Sequence, residues 1–340
     1  MLSFRHSLCT LTGAAMAISL APVVAHAQSG ADFFKGKTIT YIVATAPGGG
    51  YDNYARLIIE PMQKALPGST IIVKNMPGAG HLIGANAVYA SKPDGLTIGT
   101  FNTGLIYSQL VDRKGVKLDL TKMSWIGKAA SDPRVMILSA NNKEIKSYDD
   151  LLRKGEPFRI AVSGVGASNY NETQMLMQAL GLNLKPIAGY NGNEDQMAMR
   201  RGEIDLGFGS DSAFDSFIKN KYGTVLFAVG GKTPGVPQLR SLVKNPSKEA
   251  SAIISLIESQ GEIARLTAGP PSIPADHLTA LRTAYKTALE DPSLKQKADK
   301  IGLPIDPAYG DDVGNLVKAA LDQSPETIKL VSDILNTKKK

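Results

Sequence analysis

Cysteine is almost absent from this sequence: of its 340 residues, only Cys9 is a cysteine. Cys9 falls in an N-terminal segment with a positive Arg5, an apolar stretch over 8–24 and a small-x-small site at Ala25–Ala27. This pattern is typical of a secretory signal peptide. We therefore expect residues 1–27 to be cleaved, the protein to be exported to the periplasm, and burial rather than disulfides to hold the mature chain together.

Histidine is scarce as well, which limits the enzymatic chemistry that the chain could perform. Only His81 and His277 follow the predicted cleavage site, and the sequence offers neither a G-x-S-x-G segment nor a further cysteine as nucleophile. A metal centre or a Ser/His/Asp triad needs more of these residue types than this. We expect no catalytic residue, no metal and no cofactor, with a secreted α/β hydrolase as the alternative.

The sequence also lacks a basic stripe. Its formal net charge is +7, but Lys and Arg are scattered along the chain apart from Lys338–Lys340 at the end. Proteins that bind DNA or RNA cluster basic residues on one face, often with aromatic residues between them. We therefore expect no nucleic-acid partner.

The stretch Ile39–Arg56 carries the strongest structural signal. Ile39–Thr45 is apolar and β-branched, as in a strand that is buried on both faces. Gly48–Gly50 then allow a sharp turn without side chains, and Asp52 is a natural N-cap for the amphipathic helix that follows. A helix N-terminus behind a glycine turn presents free N–H groups to an anion. A tight turn without a ligand is the alternative.

The same arrangement recurs further along the chain. A strand at Thr70–Lys74 precedes a turn at Pro77–Gly80 and a helix over Leu82–Ala90, and a third strand follows at Leu96–Phe101. Strands that alternate with helices form parallel sheets, and ligands bind at the carboxyl edge of such sheets. A dinucleotide fingerprint in Gly78–Gly84 is the alternative, although its spacing is off by one residue and no acid follows the third strand.

The middle of the chain repeats this pattern with its own loops of small residues. A strand at Phe158–Val162 leads through Ser163–Ser168 into a helix over Asn171–Leu180, and Gly189–Gly192 and Asp211 follow later strands. These patterns predict an α/β protein of two lobes. Each lobe is a Rossmann-like sheet flanked by helices, and a ligand would bind in the cleft between them.

Composition indicates how the chain is divided between the lobes. The segment from Gly230 to Asn245 is rich in Gly, Pro, Lys and Arg, which is typical of a crossing segment, and the remainder reads as helices with polar faces. We expect these C-terminal helices to pack on the first sheet. Lobe 1 would then comprise residues 33–130 and 235–337, and lobe 2 would comprise residues 131–234.

Several segments of the chain match the pattern of a known family: Pro47–Asp52, Ala55–Arg56, Val73–Gly80, Ile83–Ala85, Lys92–Thr97 and Gly202–Asp205. In this order they resemble the periplasmic substrate-binding receptors of tripartite tricarboxylate transporters, the Bug receptors. The resemblance implies a type II periplasmic-binding-protein fold, or Venus flytrap, that hands a small organic acid to a membrane permease with a large and a small subunit. A ligand sensor for a signalling partner is the alternative. We expect a monomer.

In such receptors the first two glycine loops hold the ligand's carboxylate, largely through main-chain N–H groups and ordered water, and loops of the second lobe complete the site. Together with the strand ends described above, the resemblance predicts the following ligand-binding residues: Pro47, Gly48, Gly49, Gly50, Tyr51, Asp52, Gly78, Ala79, Gly80, His81, Asn102, Thr103, Ser163, Gly166, Ala167, Ser168, Asn169, Tyr190, Asn191, Gly192 and Asp211.

Some residues of this set allow more than one interpretation. Tyr51 and Tyr190 contact the ligand or merely cover their turns. Asp52 fits a helix cap better than a ligand group, because a carboxylate repels an anion. Asp211 is a cap or a partner for an amine, and His81 is an anion donor or a structural residue. The hydroxyl that family receptors often carry between the glycines and the aspartate is missing here, so the class of acid stays open.

Overall fold

The computed structural model describes residues 30–231 and 233–336, so the predicted signal peptide lies outside the described residues. The described chain forms two sheets, each flanked by helices. Their strands are β1 Thr38–Val43, β2 Thr70–Asn75, β3 Thr97–Phe101, β4 Ser124–Lys128, β5 Arg134–Ser139, β6 Phe158–Val162, β7 Leu184–Ala188, β8 Leu206–Ser210, β9 Gly223–Val229, β10 Leu266–Gly269 and β11 Ala308–Tyr309.

The helices connect these strands and cover both sheets. They are α1 Gly50–Lys64, α2 Leu82–Tyr89, α3 Gly104–Leu110, α4 Ser168–Leu180, α5 Glu194–Arg201, α6 Asp211–Lys219, α7 Leu239–Leu242, α8 Lys248–Gly261, α9 Ala275–Glu290, α10 Pro292–Lys300, α11 Gly310–Leu321 and α12 Pro325–Asn336. Among the described residues, no helix combines the length and the apolar character needed to cross a membrane.

The two sheets share one strand order, which indicates that the lobes are built on the same plan. The first sheet runs β11-β4-β10-β3-β1-β2, and the second runs β7-β6-β8-β5-β9. In the first sheet β1 is parallel to β2 and β3, and in the second sheet β6 is parallel to β7 and β8. One antiparallel strand is inserted in each sheet, β10 beside β3 and β5 beside β8. The inserted strands β10 and β5 each follow directly after the chain has crossed from the other lobe.

The βα arrangement positions the loops that face the cleft. Strand β1 is nearly fully buried because its side chains are apolar on both faces, as expected for a parallel strand covered by helices. Helix α1 buries Tyr54, Ala55, Ile58 and Met62 against the core of the first lobe. The glycine loop between β1 and α1 therefore lies at the carboxyl edge of the first sheet, and its position is fixed by elements on both sides.

The C-terminal helices are divided between the lobes. Helices α9 and α11 pack on the first sheet, and α10 packs on α1 and α9. Helices α7 and α8 pack on the second sheet, and α12 packs on α4 and α8. Ile253, Ile257 and Val331 are buried in the core of the second lobe. An apolar stripe in the sequence does not reveal which sheet it will cover. We therefore propose lobes of 30–131 with 262–321 and of 132–261 with 325–336.

Two of the segments that cross between the lobes, 129–132 and 261–265, are bonded to each other, and we call this region the hinge. The Ala129 N–H donates to the Arg265 carbonyl at 3.2 Å, and the Asp132 N–H donates to the Gly261 carbonyl at 2.8 Å. An ion pair of 2.7 Å joins the Arg265 guanidinium to the Asp132 carboxylate, whose side chains are only 3% and 0% exposed. The Ser212 hydroxyl, at the start of α6, donates to the same carboxylate at 2.5 Å.

The position of α12 gives a test of the lobe boundary. Val331→Ala removes a fully buried side chain from the core of the second lobe, so we expect a loss of about 2 kcal/mol in the free energy of unfolding. Hydrogen exchange should rise in β6 and α4 and stay unchanged in β1 and β2.

The control is Leu316→Ala on α11, where the side chain is 38% exposed. It should alter exchange in neither sheet. Faster exchange confined to β1 and β2 in the Val331 variant would show that α12 belongs to the first lobe.

Candidate ligand-binding cleft

A cavity of about 110 Å³ lies between the lobes at the carboxyl edges of both sheets. The structure brings about half of the sequence-predicted residues to its wall: Gly49, Gly50, Tyr51, His81, Asn102, Ser163, Ser168, Asn169, Tyr190, Asn191 and Gly192. Sequence reasoning missed other residues of the wall: Thr45, Ala46, Arg134, Asp195, Phe208, Gly209, Ser210, Ala213, Phe214 and Arg265.

The predicted residues that do not line the cavity lie behind it, at contacts between the lobes, or outside the cleft. They are Pro47, Gly48, Asp52, Gly78, Ala79, Gly80, Thr103, Gly166, Ala167 and Asp211. Asp211 lies in a different groove, which the hinge residues Ser131 and Asp132 also line. Its carboxylate accepts a hydrogen bond of 3.1 Å from the Thr233 hydroxyl, and burial raises its pKa. We therefore leave Asp211 out of the proposed site.

Asp52 holds the first glycine loop in shape. Its carboxylate accepts hydrogen bonds from the Gly48 N–H at 3.0 Å, from Arg56 Nε at 2.9 Å and from Asn75 Nδ2 at 2.9 Å. Burial alone would raise the pKa of Asp52, but these hydrogen bonds outweigh it and keep the pKa below its ordinary value. The Asp52 carboxylate therefore bonds to groups of the protein. It does not occupy the side of the first turn of α1 that faces the cleft.

Glycine in this loop allows close approach from two directions. A Cβ at Gly50 would lie 2.9 Å from Arg265 Nη2, and a Cβ at Gly49 would lie 3.2 Å from the Cα of Gly192 in the other lobe. The absence of side chains therefore lets the guanidinium reach the N-terminus of α1 and lets the main chains of the two lobes meet.

The second glycine loop and the loop after β3 also touch the second lobe. A Cβ at Gly80 would lie 2.6 Å from the Val165 carbonyl oxygen. The Asn102 side-chain oxygen accepts hydrogen bonds from the Gly104 N–H at 2.7 Å and, across the cleft, from the Ser168 N–H at 3.0 Å. The two lobes are therefore in direct contact at these loops. The Asn102 side chain accepts hydrogen bonds from main-chain N–H groups of both lobes.

His81 is a buried, neutral histidine on the wall of the cleft. Its backbone has a φ of +76°, and it immediately precedes α2. Burial lowers the pKa of its imidazole to about 4. Its Nδ1 atom has no hydrogen-bond partner within the described chain. A buried polar atom without a partner is unfavourable, so this nitrogen is available to a guest in the cleft.

Arg134 lines the cleft but is already paired. Its Nε donates to Glu172 Oε2 at 2.9 Å and its Nη1 donates to the Ser210 hydroxyl at 3.0 Å. Glu172 is fully buried, and the Tyr107 hydroxyl donates to it as well at 3.3 Å. The positive charge of Arg134 is therefore compensated within the second lobe.

Arg265 couples the hinge to the cleft. The guanidinium that pairs with Asp132 also lies over the rings of Tyr51 and Tyr54, at 4.6 and 4.9 Å from their centroids. Its Nε is buried and has no hydrogen-bond partner among the described residues. Tyr51 thus packs under a cation at the base of the site, in addition to lining the cavity.

Nothing in the described part of the chain resembles a metal centre: no three His, Cys, Asp or Glu side chains are grouped closely enough to hold an ion. The cleft instead combines two helix N-termini, a few polar side chains and an aromatic wall. Pockets of this composition typically bind small organic molecules.

The fold and the cleft define a class, the two-lobed periplasmic binding proteins. The structure of the periplasmic binding protein BugD superposes with a TM-score of 0.73 at 22% identity, over 88% of this chain and 97% of BugD. MatC from Rhodopseudomonas palustris, solved with bound malate, superposes with a TM-score of 0.71 at 18% identity, over 88% of this chain and 99% of MatC. The fold expected from the sequence is confirmed.

The family follows from the sequence comparison. The profile of the tripartite tricarboxylate transporter family receptor matches residues 54–334, so the chain belongs to that family. An Agrobacterium vitis protein, encoded in the TAR-I ttuE-ttuC' intergenic region, is 26% identical over 84% of this chain and 80% of its own length. BugT of Bordetella pertussis is 29% identical over 52% of this chain and 56% of its own length. The protein is therefore a solute receptor of a periplasmic family, not an enzyme.

The buried state of His81 predicts a pH dependence of stability. The unfolded chain binds a proton at His81 near pH 6.5, whereas the folded chain does so only near pH 4. Because the unfolded state binds more protons in this window, the free energy of unfolding should fall as the pH is lowered from 6.5 to 4. We expect this site alone to contribute a loss of about 2 kcal/mol between pH 7 and pH 5.

Urea unfolding at several pH values measures this effect. His81→Asn, which tolerates the positive φ, should remove the slope contributed by this site. The matched control is His277→Asn, which lies outside the cleft and stacks on Phe33 at 3.7 Å. An unchanged pH slope in the His81 variant would contradict a buried, neutral imidazole.

Proposed function

We propose that this protein captures a small carboxylate-bearing organic acid in the cleft and presents it to a membrane permease with a large and a small subunit. Residues 1–27 would be removed on export to the periplasm, and the receptor would act as a monomer. MatC was solved with malate and another R. palustris protein with adipate, both of them dicarboxylates, which supports an acid as the ligand here.

The observation that carries this proposal is the convergence of two helix N-termini on the cleft from opposite lobes. Helix α1 begins at Gly50 and α4 begins at Ser168, and both residues line the cavity. Each N-terminus has N–H groups without intrahelical partners and a positive end of the helix dipole. Because Arg134 and Arg265 are already paired with carboxylates, we infer that main-chain N–H groups carry most of the anion recognition.

A ligand screen tests the proposal. Thermal-shift measurements with mono-, di- and tricarboxylates, aromatic acids and amino acids should identify at least one acid that stabilises the protein. Titration calorimetry then gives a one-to-one stoichiometry, and the acid should be recovered chemically unchanged after incubation. Conversion of the acid would favour the secreted enzyme, and the absence of any hit among the acids would contradict the proposed function.

Gly50→Val should abolish binding of the acid identified in this screen. The new side chain would project into the Arg265 guanidinium and cover the first N–H groups of α1. We expect a loss of affinity of roughly a hundredfold or more, since the interactions with these donors are charge-assisted.

Calorimetry measures this loss, and circular dichroism with thermal unfolding shows whether the variant is folded. Undiminished affinity in a folded Gly50 variant would remove the first glycine loop from the site.

A further inference from the structure

Asp195 is the charged group in the cleft that the proposed function does not use. It is the second residue of α5 and lines the cavity from the second lobe. No Lys, Arg or His nitrogen of the described chain forms an ion pair with it, and its carboxylate accepts a hydrogen bond of 2.7 Å from the N–H of the adjacent Gln196. Its carboxylate therefore faces the cleft without a counter-charge from the residues that the structure describes.

The other charges of the wall are compensated. Arg134 is paired with Glu172, Arg265 is paired with Asp132, and His81 is neutral. Among the described residues, Asp195 thus leaves the cavity with one net negative charge near neutral pH. Burial raises the pKa of this carboxyl to about 6, which reflects the cost of an ionised acid in a partly desolvated site.

This charge discriminates between classes of acid. A second carboxylate on the ligand would be repelled by Asp195 in a cavity of this size, whereas a protonated amine would be attracted. Tyr190 and Phe214 line the same cavity, and the faces of aromatic rings also favour a cation. Phe208 is different, because Arg134 already lies over its ring at 5.5 Å.

The first lobe offers the complementary chemistry. Thr45 Oγ1, His81 Nδ1 and Arg265 Nε are buried, line the same cavity and have no hydrogen-bond partner in the described chain. The exposed fraction is 8% for His81 and 3% for Arg265. Together with the N-terminus of α1, these groups offer hydrogen bonds to an acid at one end of the cavity, while Asp195 supplies an acceptor from the other lobe.

We propose that the ligand is an amino-carboxylate, whose carboxylate binds at the first glycine loop and whose protonated amine binds at Asp195. Asp195 is then the residue that sets specificity, since it favours amino acids over the corresponding acids without an amine. This inference rests on the proposed function and names the class of acid that the same cleft accepts.

Matched pairs of acids test it by calorimetry: L-aspartate against succinate, L-glutamate against glutarate, and 4-aminobutyrate against butyrate. The wild-type protein should bind the aminated member of at least one pair roughly tenfold or more tightly than its partner. Asp195→Asn, which preserves the shape of the side chain, should lower the affinity for that aminated acid by roughly tenfold and should not weaken binding of its desamino partner.

The control is Glu203→Gln, which removes one negative charge of the same lobe from an exposed ion pair with Arg201. It should leave both affinities unchanged. If no pair shows tighter binding of its aminated member to the wild-type protein, or if only acids without an amine bind, this inference is overturned while the proposed function stands. If no acid of any kind binds, the proposed function fails first. The wild-type comparison decides the matter even if the Asp195 variant does not fold.

Discussion

The buried ion pair of Asp132 and Arg265 is the interaction on which the two-lobed arrangement depends. It joins two of the segments by which the chain passes between the lobes. Ser212 ties the first helix turn after β8 to the same carboxylate, and the guanidinium rests on Tyr51 below the cleft. Removing one partner of such a pair leaves a buried charge uncompensated, which costs about 3–5 kcal/mol in proteins. The hinge and the base of the cleft therefore cannot be altered separately.

The ion pairs of Arg134 and Arg265 also affect which ligands the cleft can recognise. Both arginines of its wall are paired with acids of this chain, so their positive charges are largely compensated before a ligand binds. In the proposed function, recognition of a carboxylate would depend mainly on N–H groups whose direction is set by α1 and α4. Such donors are fixed before the ligand arrives, so little conformational entropy is lost when it binds. The proposed role of the Asp195 carboxylate adds a preference for ligands with an amine over ligands of similar size without one.

The sequence predicted those parts of the candidate site that depend on local patterns. The strand, glycine loop and helix around Gly50 were recognisable because burial, turn and capping signals lie within 20 residues of each other. Arg265 and Asp132 are 133 residues apart, and Arg134 and Glu172 are 38 apart, so no spacing could reveal either pair. The lobe assigned to α12 was equally unpredictable, since an amphipathic helix shows which face is buried and not against which sheet. Asp211 follows a strand like the other loops, but its strand ends beside the hinge.

Three of the contacts between the lobes share one property: the main chain of one lobe approaches the main chain of the other. Gly49 meets Gly192, Gly80 meets the Val165 carbonyl, and Gly104 lies against the Ser168 amide. At these three contacts, backbone geometry limits how closely the lobes can approach each other. Substitutions elsewhere in the wall can change the preferred guest during evolution without changing the closed shape that a transport partner encounters. Ligand choice and docking to the transporter are in this way free to diversify independently.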